Sequence, residues 1–229
     1  MRADTLAALD AELHACRLCL AAGHDIAPGP VFSHPPGAQV LLIGQAPGIT
    51  EVKAGRPFNA GSGRRLFQWL AAAGWDEDDF RASQAMTAVT KCYPGKGSNG
   101  KGDRVPSRAE QALCRPYLER EVRIIQPRLI IPVGGLAIKL FYPASLRLNQ
   151  IIGRAAYFPP EALVDPLNLD LGQARQTTAY VANWPPDGRW VVPLPHPSGA
   201  SLWPNRPQNK ALIDRAVALL RALREDWRL

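Results

Sequence analysis

The sequence predicts a three-layer α/β/α fold around a central four-stranded parallel sheet, and three observations carry that prediction. Four short apolar runs are spaced along the chain, helical segments separate them, and the most chemically loaded stretches follow the runs directly. Short apolar runs closed by Gly, Pro or turn residues are the pattern of strands buried on both faces. Strands that alternate with helices wind into a parallel sheet, whose ligands sit at the carboxyl ends of the strands.

The elements follow in order. A helix opens the chain over residues 4–15, and the first strand covers 39–44 (QVLLIG). The next helix spans 62–73, stopped by Gly74, before a second strand at 85–90 (AMTAVT). A capping box from Ser107 to Glu110 starts a helix over 107–126, which ends before Pro127. The third and fourth strands are 129–133 (LIIPV) and 190–194 (WVVPL). A helix over 208–227 closes the chain, with Leu212, Ala216, Leu219, Leu220 and Leu223 along one face.

Two segments interrupt this rhythm. Residues 91–108 form a Gly- and Lys-rich loop with Lys91, Lys96, Lys101, Arg104 and Arg108 against Asp103 alone. Such a loop is expected to order around an anion. Residues 158–188 carry two Pro-Pro pairs and read as an inserted excursion rather than a domain. With no internal repeat and no second core, residues 1–229 are expected to form one domain.

At 229 residues and 46% hydrophobic content, the chain can bury one sizeable core. Its 27 basic and 20 acidic residues give a net charge of +7, which favours polyanions, nucleic acid ahead of an anionic membrane. Charge alone fits a merely basic enzyme equally well. No apolar run approaches the roughly 20 residues that span a bilayer, and the N-terminus has no secretory pattern. A cytoplasmic location and no membrane partner are therefore expected.

Four cysteines in such a compartment point to metal rather than disulfides. Cys16 and Cys19 form a C-x-x-C at the end of the first helix, Cys92 follows the second strand, and Cys114 lies in the helix after the basic loop. Four thiolates can hold an iron–sulfur cluster. Cys92 and Cys114 are too far apart in sequence for a zinc knuckle, and ordinary buried thiols are the plain alternative.

GQAPGITE (44–51), KCYPG (91–95) and PHPSG (195–199) all fall after strands, so three loops meet at one sheet edge. In this order they resemble the motifs of the iron–sulfur uracil-DNA glycosylases, the family 4 group. That family carries G-E-x-P-G-x-x-E followed by G-R-P-F. Here the stretch is Gly44-Gln45-Ala46-Pro47-Gly48-Ile49-Thr50-Glu51, then Gly55-Arg56-Pro57-Phe58. Also matching are His196-Pro197-Ser198, Lys91-Cys92, and Cys114-Arg115-Pro116-Tyr117-Leu118. The resemblance covers most of the chain outside 158–188.

It implies a uracil-DNA glycosylase-like fold and one 4Fe–4S cluster on Cys16, Cys19, Cys92 and Cys114. The partner it implies is uracil-containing DNA, single- or double-stranded, and the activity is hydrolysis that initiates base excision repair. Cleaving a base from DNA requires extruding the nucleotide into a pocket that holds its face, reads its edge and stabilises the departing anion. The base site implied is Gly44, Gln45, Ala46, Phe58, Ala88 and His196. Phe58 offers the stacking face, and His196 donates to the developing charge. Glu51 either holds the attacking water or crowds the position where thymine carries its methyl. Crowding is the preferred reading, because a base leaving as an anion needs little help from a strong nucleophile.

Two positions depart from the family. Gln45 replaces a glutamate, exchanging a charge for a neutral amide that can help position water. Ala88 replaces the asparagine that reads the uracil edge, which leaves Gln45 or backbone groups to do so, or a different base as substrate. A covalent-trapping relative carries a histidine in its basic loop; this chain has none between Lys91 and Arg108, so turnover is expected. DNA grip is assigned to Lys91, Lys96, Lys101, Arg104 and Arg108 on the loop, to Arg56 and Arg64, and to Ser198, Leu202 and Trp203 after the histidine. Either Leu202 or Trp203 would fill the gap left by the flipped base. The competing readings are a glycosylase for another deaminated or mismatched base, and a non-catalytic iron–sulfur protein that binds damaged DNA or carries electrons. A monomer is expected, since a flipping enzyme needs one face free.

Overall fold

The computed structural model describes residues 4–229 apart from 98, 99, 101, 166 and 200. Its strands are β1 (Val40–Gly44), β2 (Ala85–Ala88), β3 (Leu129–Pro132), β4 (Ala155–Phe158), β5 (Arg175–Thr177) and β6 (Arg189–Val191). Its α-helices are α1 (Leu6–Ala15), α2 (Leu18–Ala21), α3 (Ile49–Ala54), α4 (Gly61–Ala72), α5 (Glu77–Ser83), α6 (Arg108–Ile125), α7 (Gly135–Ile138), α8 (Leu148–Ile151) and α9 (Pro207–Trp227).

The strands form one sheet in the order β2-β1-β3-β6-β4-β5. β2, β1, β3 and β6 run parallel, in registers such as Gly44 opposite Ala88 and Ile43 opposite Pro132. These are the four strands the apolar runs predict, and they are buried end to end. α1 packs with α6 and α4 with α9, which gives the three-layer α/β/α arrangement.

The sheet is wider than expected. β4 pairs antiparallel to β6, with Ala156 opposite Val191, and β5 pairs antiparallel to β4. β5 (RQT) is polar and half-exposed at the edge, so no apolar run marks it. The Pro-rich excursion therefore folds back on the sheet. Tyr157 donates its hydroxyl to the Pro185 carbonyl at 2.7 Å, and Trp184 stacks on the buried Trp190 with ring centroids 4.9 Å apart.

Helix ends shift by a residue or two from expectation, because the cap stands outside the helix it starts. Thr5 caps α1, and Ser107 caps α6 with Glu110 returning its carboxylate to the Ser107 N–H. Because β2 and β3 flank β1 on opposite sides, the chain reverses its winding there. Such a switch point opens a crevice at the carboxyl ends of the strands.

Candidate active site

That crevice holds a small pocket at the carboxyl ends of the strands. β1 supplies Gly44 and leads into Gln45 and Ala46; β2 supplies Thr87 and Ala88; the loop after β6 brings His196. Phe58 lines the same pocket. A Cβ on Gly44 would stand 3.0 Å from the Phe58 ring, so glycine lets the aromatic ring lie against the strand end.

Phe58 is held in an unusual backbone conformation, with φ of +51°. Residues other than glycine adopt this region at a cost of order 1–3 kcal/mol and keep it only when their surroundings over-determine it. Glu51 and Arg81 provide that constraint. The two Glu51 carboxylate oxygens accept from the Gly48 N–H at 2.7 Å and the Phe58 N–H at 2.5 Å. Arg81 donates to the carbonyls of Pro57 (2.8 Å) and Phe58 (2.9 Å), and its guanidinium lies 4.2 Å over the Phe67 ring. Burial pushes the Glu51 carboxyl up. With both oxygens engaged by backbone, Glu51 braces Phe58 as well as bordering the pocket. Arg81 has no motif to mark it in the sequence.

His196 is aimed by its own loop. Its Nδ1 accepts from the Ser198 N–H at 3.2 Å, so the neutral ring carries its proton on Nε2. Burial lowers its pKa, and protonating Nδ1 would set two donors face to face. The ring is thus a neutral donor. Gly134, with φ of +86°, makes room for it, since a Cβ there would lie 3.0 Å from His196 Cδ2. Ser198, expected to touch DNA, has its backbone N–H committed to the histidine.

Gln45 is half-buried at the pocket, and its side-chain amide has no protein partner among the described residues. Ala88 lines the opposite wall at 6% exposure. Its carbonyl accepts from Lys91 Nζ at 2.6 Å. Lys91 was expected to grip DNA and cannot do so here: it is 1% exposed and sits 3.0 Å from Glu121. Glu121 in turn accepts from the Thr87 hydroxyl at 3.1 Å and faces His34 Nε2 at 3.4 Å, while His34 Nδ1 meets Asp10 at 2.6 Å. Burial would push Glu121 up, but Lys91 and His34 reverse this and hold it down. Burial alone would depress His34; Glu121 and Asp10 outweigh it, and the ring is raised. This buried chain of charges links α1, α6 and β2 beneath the pocket.

The other DNA candidates divide. Arg104 forks onto Glu110 at 2.6 and 2.7 Å, holding that carboxyl down at about 2, and Lys96 lies 3.5 Å from Asp103. Arg64 and Arg108 are exposed, as is Arg56, which is 3.9 Å from Glu77 and Asp78. Lys101 lies outside the described residues. Leu202 projects, 72% exposed, whereas Trp203 packs on the core. Of the two wedge candidates, the geometry leaves Leu202 free to enter a base stack.

All four cysteines line one small cavity between α1, α2, α6 and the end of β2. Burial, then the neighbouring thiols, pushes Cys19 up to about 11, and burial raises Cys92 and Cys114 as well. The Lys91 N–H donates to Cys114 Sγ at 3.4 Å. Among the described residues no three His, Cys, Asp or Glu side chains close around a single metal ion. Four thiols around one cavity are the kind of donor set that an iron–sulfur cluster takes.

The uracil DNA glycosylase superfamily model matches residues 31–221. The chain belongs to the uracil DNA glycosylase superfamily. Within it, the chain is 34% identical over 117 residues to the type-4 uracil-DNA glycosylase of Pyrobaculum aerophilum, covering 51% of each chain. It is 30% identical over 142 residues to that of Sulfurisphaera tokodaii, covering 61% of this chain and 59% of the relative. The Thermotoga maritima enzyme is 31% identical over 103 residues, 45% of this chain and 48% of the relative. The matches span about half the length of these curated relatives. The superfamily match runs from β1 through the His196 loop into α9, so it takes in every strand around the pocket.

Proposed function

We propose that the chain is a monofunctional DNA glycosylase that extrudes uracil and hydrolyses its bond to the sugar, initiating base excision repair. The observation that carries this reading is the His196 ring, kept neutral and with its Nε2 proton free, in the same pocket as Phe58. Phe58 stacks on the extruded base. As the bond from C1′ to the base nitrogen breaks, its electron pair stays on the base, and His196 Nε2–H donates to the anion that forms. A water oxygen bonds to C1′ and its proton passes to solvent; Gln45, with an uncommitted amide, orients that water or reads the base edge. Glu51 holds Phe58 in place and crowds the pocket wall against a methylated base. Removing one such donor typically costs about 100–1,000-fold in rate.

Cys16, Cys19, Cys92 and Cys114 would hold one 4Fe–4S cluster, which ties the N-terminal helix to α6 and the end of β2. Leu202 fills the gap in the stack, and Arg56, Arg64 and Arg108 face phosphates. The chain acts as a single-domain, cytoplasmic monomer. Among the described residues no helix is long and apolar enough to cross a membrane.

Ala88 favours a second reading, excision of another deaminated or mismatched base, because the wall that would read the uracil edge has no polar side chain. One assay separates the readings. Labelled oligonucleotides carrying uracil, hypoxanthine, xanthine or a T·G mismatch are incubated with the protein and treated with alkali. Cleavage at uracil supports the first reading and cleavage at another base the second. Retention without cleavage at any of them supports a binding protein and refutes both.

A further inference from the structure

With Lys91 buried and Lys96 and Arg104 turned onto carboxylates, Arg108 is the one described cation of the 91–108 loop with no carboxylate partner. Unspent charge lies elsewhere. Beyond the His196 loop, an open groove runs between α8 and the start of α9. Arg147, Asn149, Trp203, Arg206 and Gln208 line it, and no carboxylate does. Both arginines are exposed, and neither guanidinium has a protein partner among the described residues.

The walls are preformed. Asn209, 4% exposed, donates its Nδ2 to the Trp203 carbonyl at 2.9 Å and so pins the turn that carries the indole. Gly153, with φ of +81°, lets the end of α8 close on α9, since a Cβ there would stand 2.9 Å from the Leu212 carbonyl oxygen. Leu202, the exposed candidate wedge, directly precedes Trp203.

We propose that this groove is the subsite for the DNA strand flanking the extruded nucleotide, a deepening that rests on the glycosylase reading above. Arg147 and Arg206 pair with backbone phosphates, and the Asn149 and Gln208 amides reach sugar and phosphate oxygens. Such contacts fix register on the strand rather than read sequence. Charge complementarity selects the occupant: two cations with no acid lining the groove between them, beside Trp203, which directly follows the side chain that would enter the base stack. The site adds to the grip that Arg108 supplies from the 91–108 loop.

The test uses a duplex with a central 2′-fluoro-deoxyuridine, which binds without being cleaved, and the unmodified uracil duplex for turnover. Binding is measured against salt for wild type, R147A, R206A, R147A/R206A and R147K/R206K. The slope of log K against log salt should fall by about 0.9 for each arginine removed and return in the lysine variant. On a trinucleotide too short to reach the groove, R147A/R206A and wild type should bind alike. If wild type cleaves uracil but R147A/R206A keeps its affinity and salt slope, the groove assignment falls and the catalytic reading stands. Loss of polyglutamate binding with the DNA slope intact would assign the groove to an acidic protein and overturn the proposal. A wild type that neither binds nor cleaves any of these duplexes overturns the glycosylase reading and the groove with it.

Discussion

Gly63 lies on the third residue of α4, where alanine would ordinarily stabilise a helix by up to about 1 kcal/mol. Here the expected effect has the opposite sign. A methyl at Gly63 would stand 2.6 Å from the Phe58 carbonyl carbon and closer still to its oxygen, whereas real Cβ contacts essentially never fall below 3.0 Å. Both groups are backbone, so the Phe58 segment must withdraw by roughly 1 Å. That movement breaks the bond from Arg81 to the Phe58 carbonyl and strains the one from Phe58 N–H to Glu51. Hydrogen bonds to charged groups contribute about 1.5–3 kcal/mol each, so losing one or both outweighs the helix gain by about 0.5–5 kcal/mol. A displacement of about 1 Å in a positioning group costs on the order of 100-fold in rate. Urea unfolding of Gly63→Ala, with single-turnover excision on a uracil oligonucleotide, measures both. If the variant is as stable as wild type and within twofold of its rate, the bracing of Phe58 by Glu51 and Arg81 has been misread.

His196→Ala should slow excision by about 100–1,000-fold while leaving affinity for the 2′-fluoro duplex intact. Because burial depresses the His196 pKa, the wild-type rate should stay level on the acid side through about pH 6.5, the ordinary histidine value, and fall only below it. A break at or above that value contradicts a buried neutral ring. Lys91→Met strips the buried Glu121 of its ammonium partner, leaving it His34 and the Thr87 hydroxyl, and should cost about 3–5 kcal/mol in urea unfolding, with Glu121→Gln in the same chain restoring most of it. Since Glu121 has a lowered pKa, its ion pair contributes stability at neutral pH that is lost as pH falls, so the Lys91→Met deficit should shrink in acid. Cys114→Ser should abolish iron and acid-labile sulfide in the purified protein; colourless, iron-free wild type with full activity would rule out the cluster.

The pocket-forming strands were legible because a strand buried on both faces has to be a continuous apolar run, and QVLLIG, AMTAVT, LIIPV and WVVPL are such runs. The loops GQAPG and PHPSG were legible for a related reason, since glycine and proline at a strand end mark close approach and sharp turning. β5 was not legible, because an edge strand half in solvent needs no apolar side chains. Lys91 shows the limit most clearly. In sequence it is the first cation of a basic loop; in space it is sealed against Glu121, thirty positions away, whose partner His34 comes from a third segment.

The sequence alone therefore determined which elements form and which loops meet at the sheet edge, since those depend on local conformational preference and on which side chains must leave water. Only the tertiary structure decided which charges are spent and which remain. Ion pairing depends on distances between residues far apart in the chain. That is why Lys91 and Arg104 turn inward while Arg147 and Arg206, on elements with no motif, are left facing solvent.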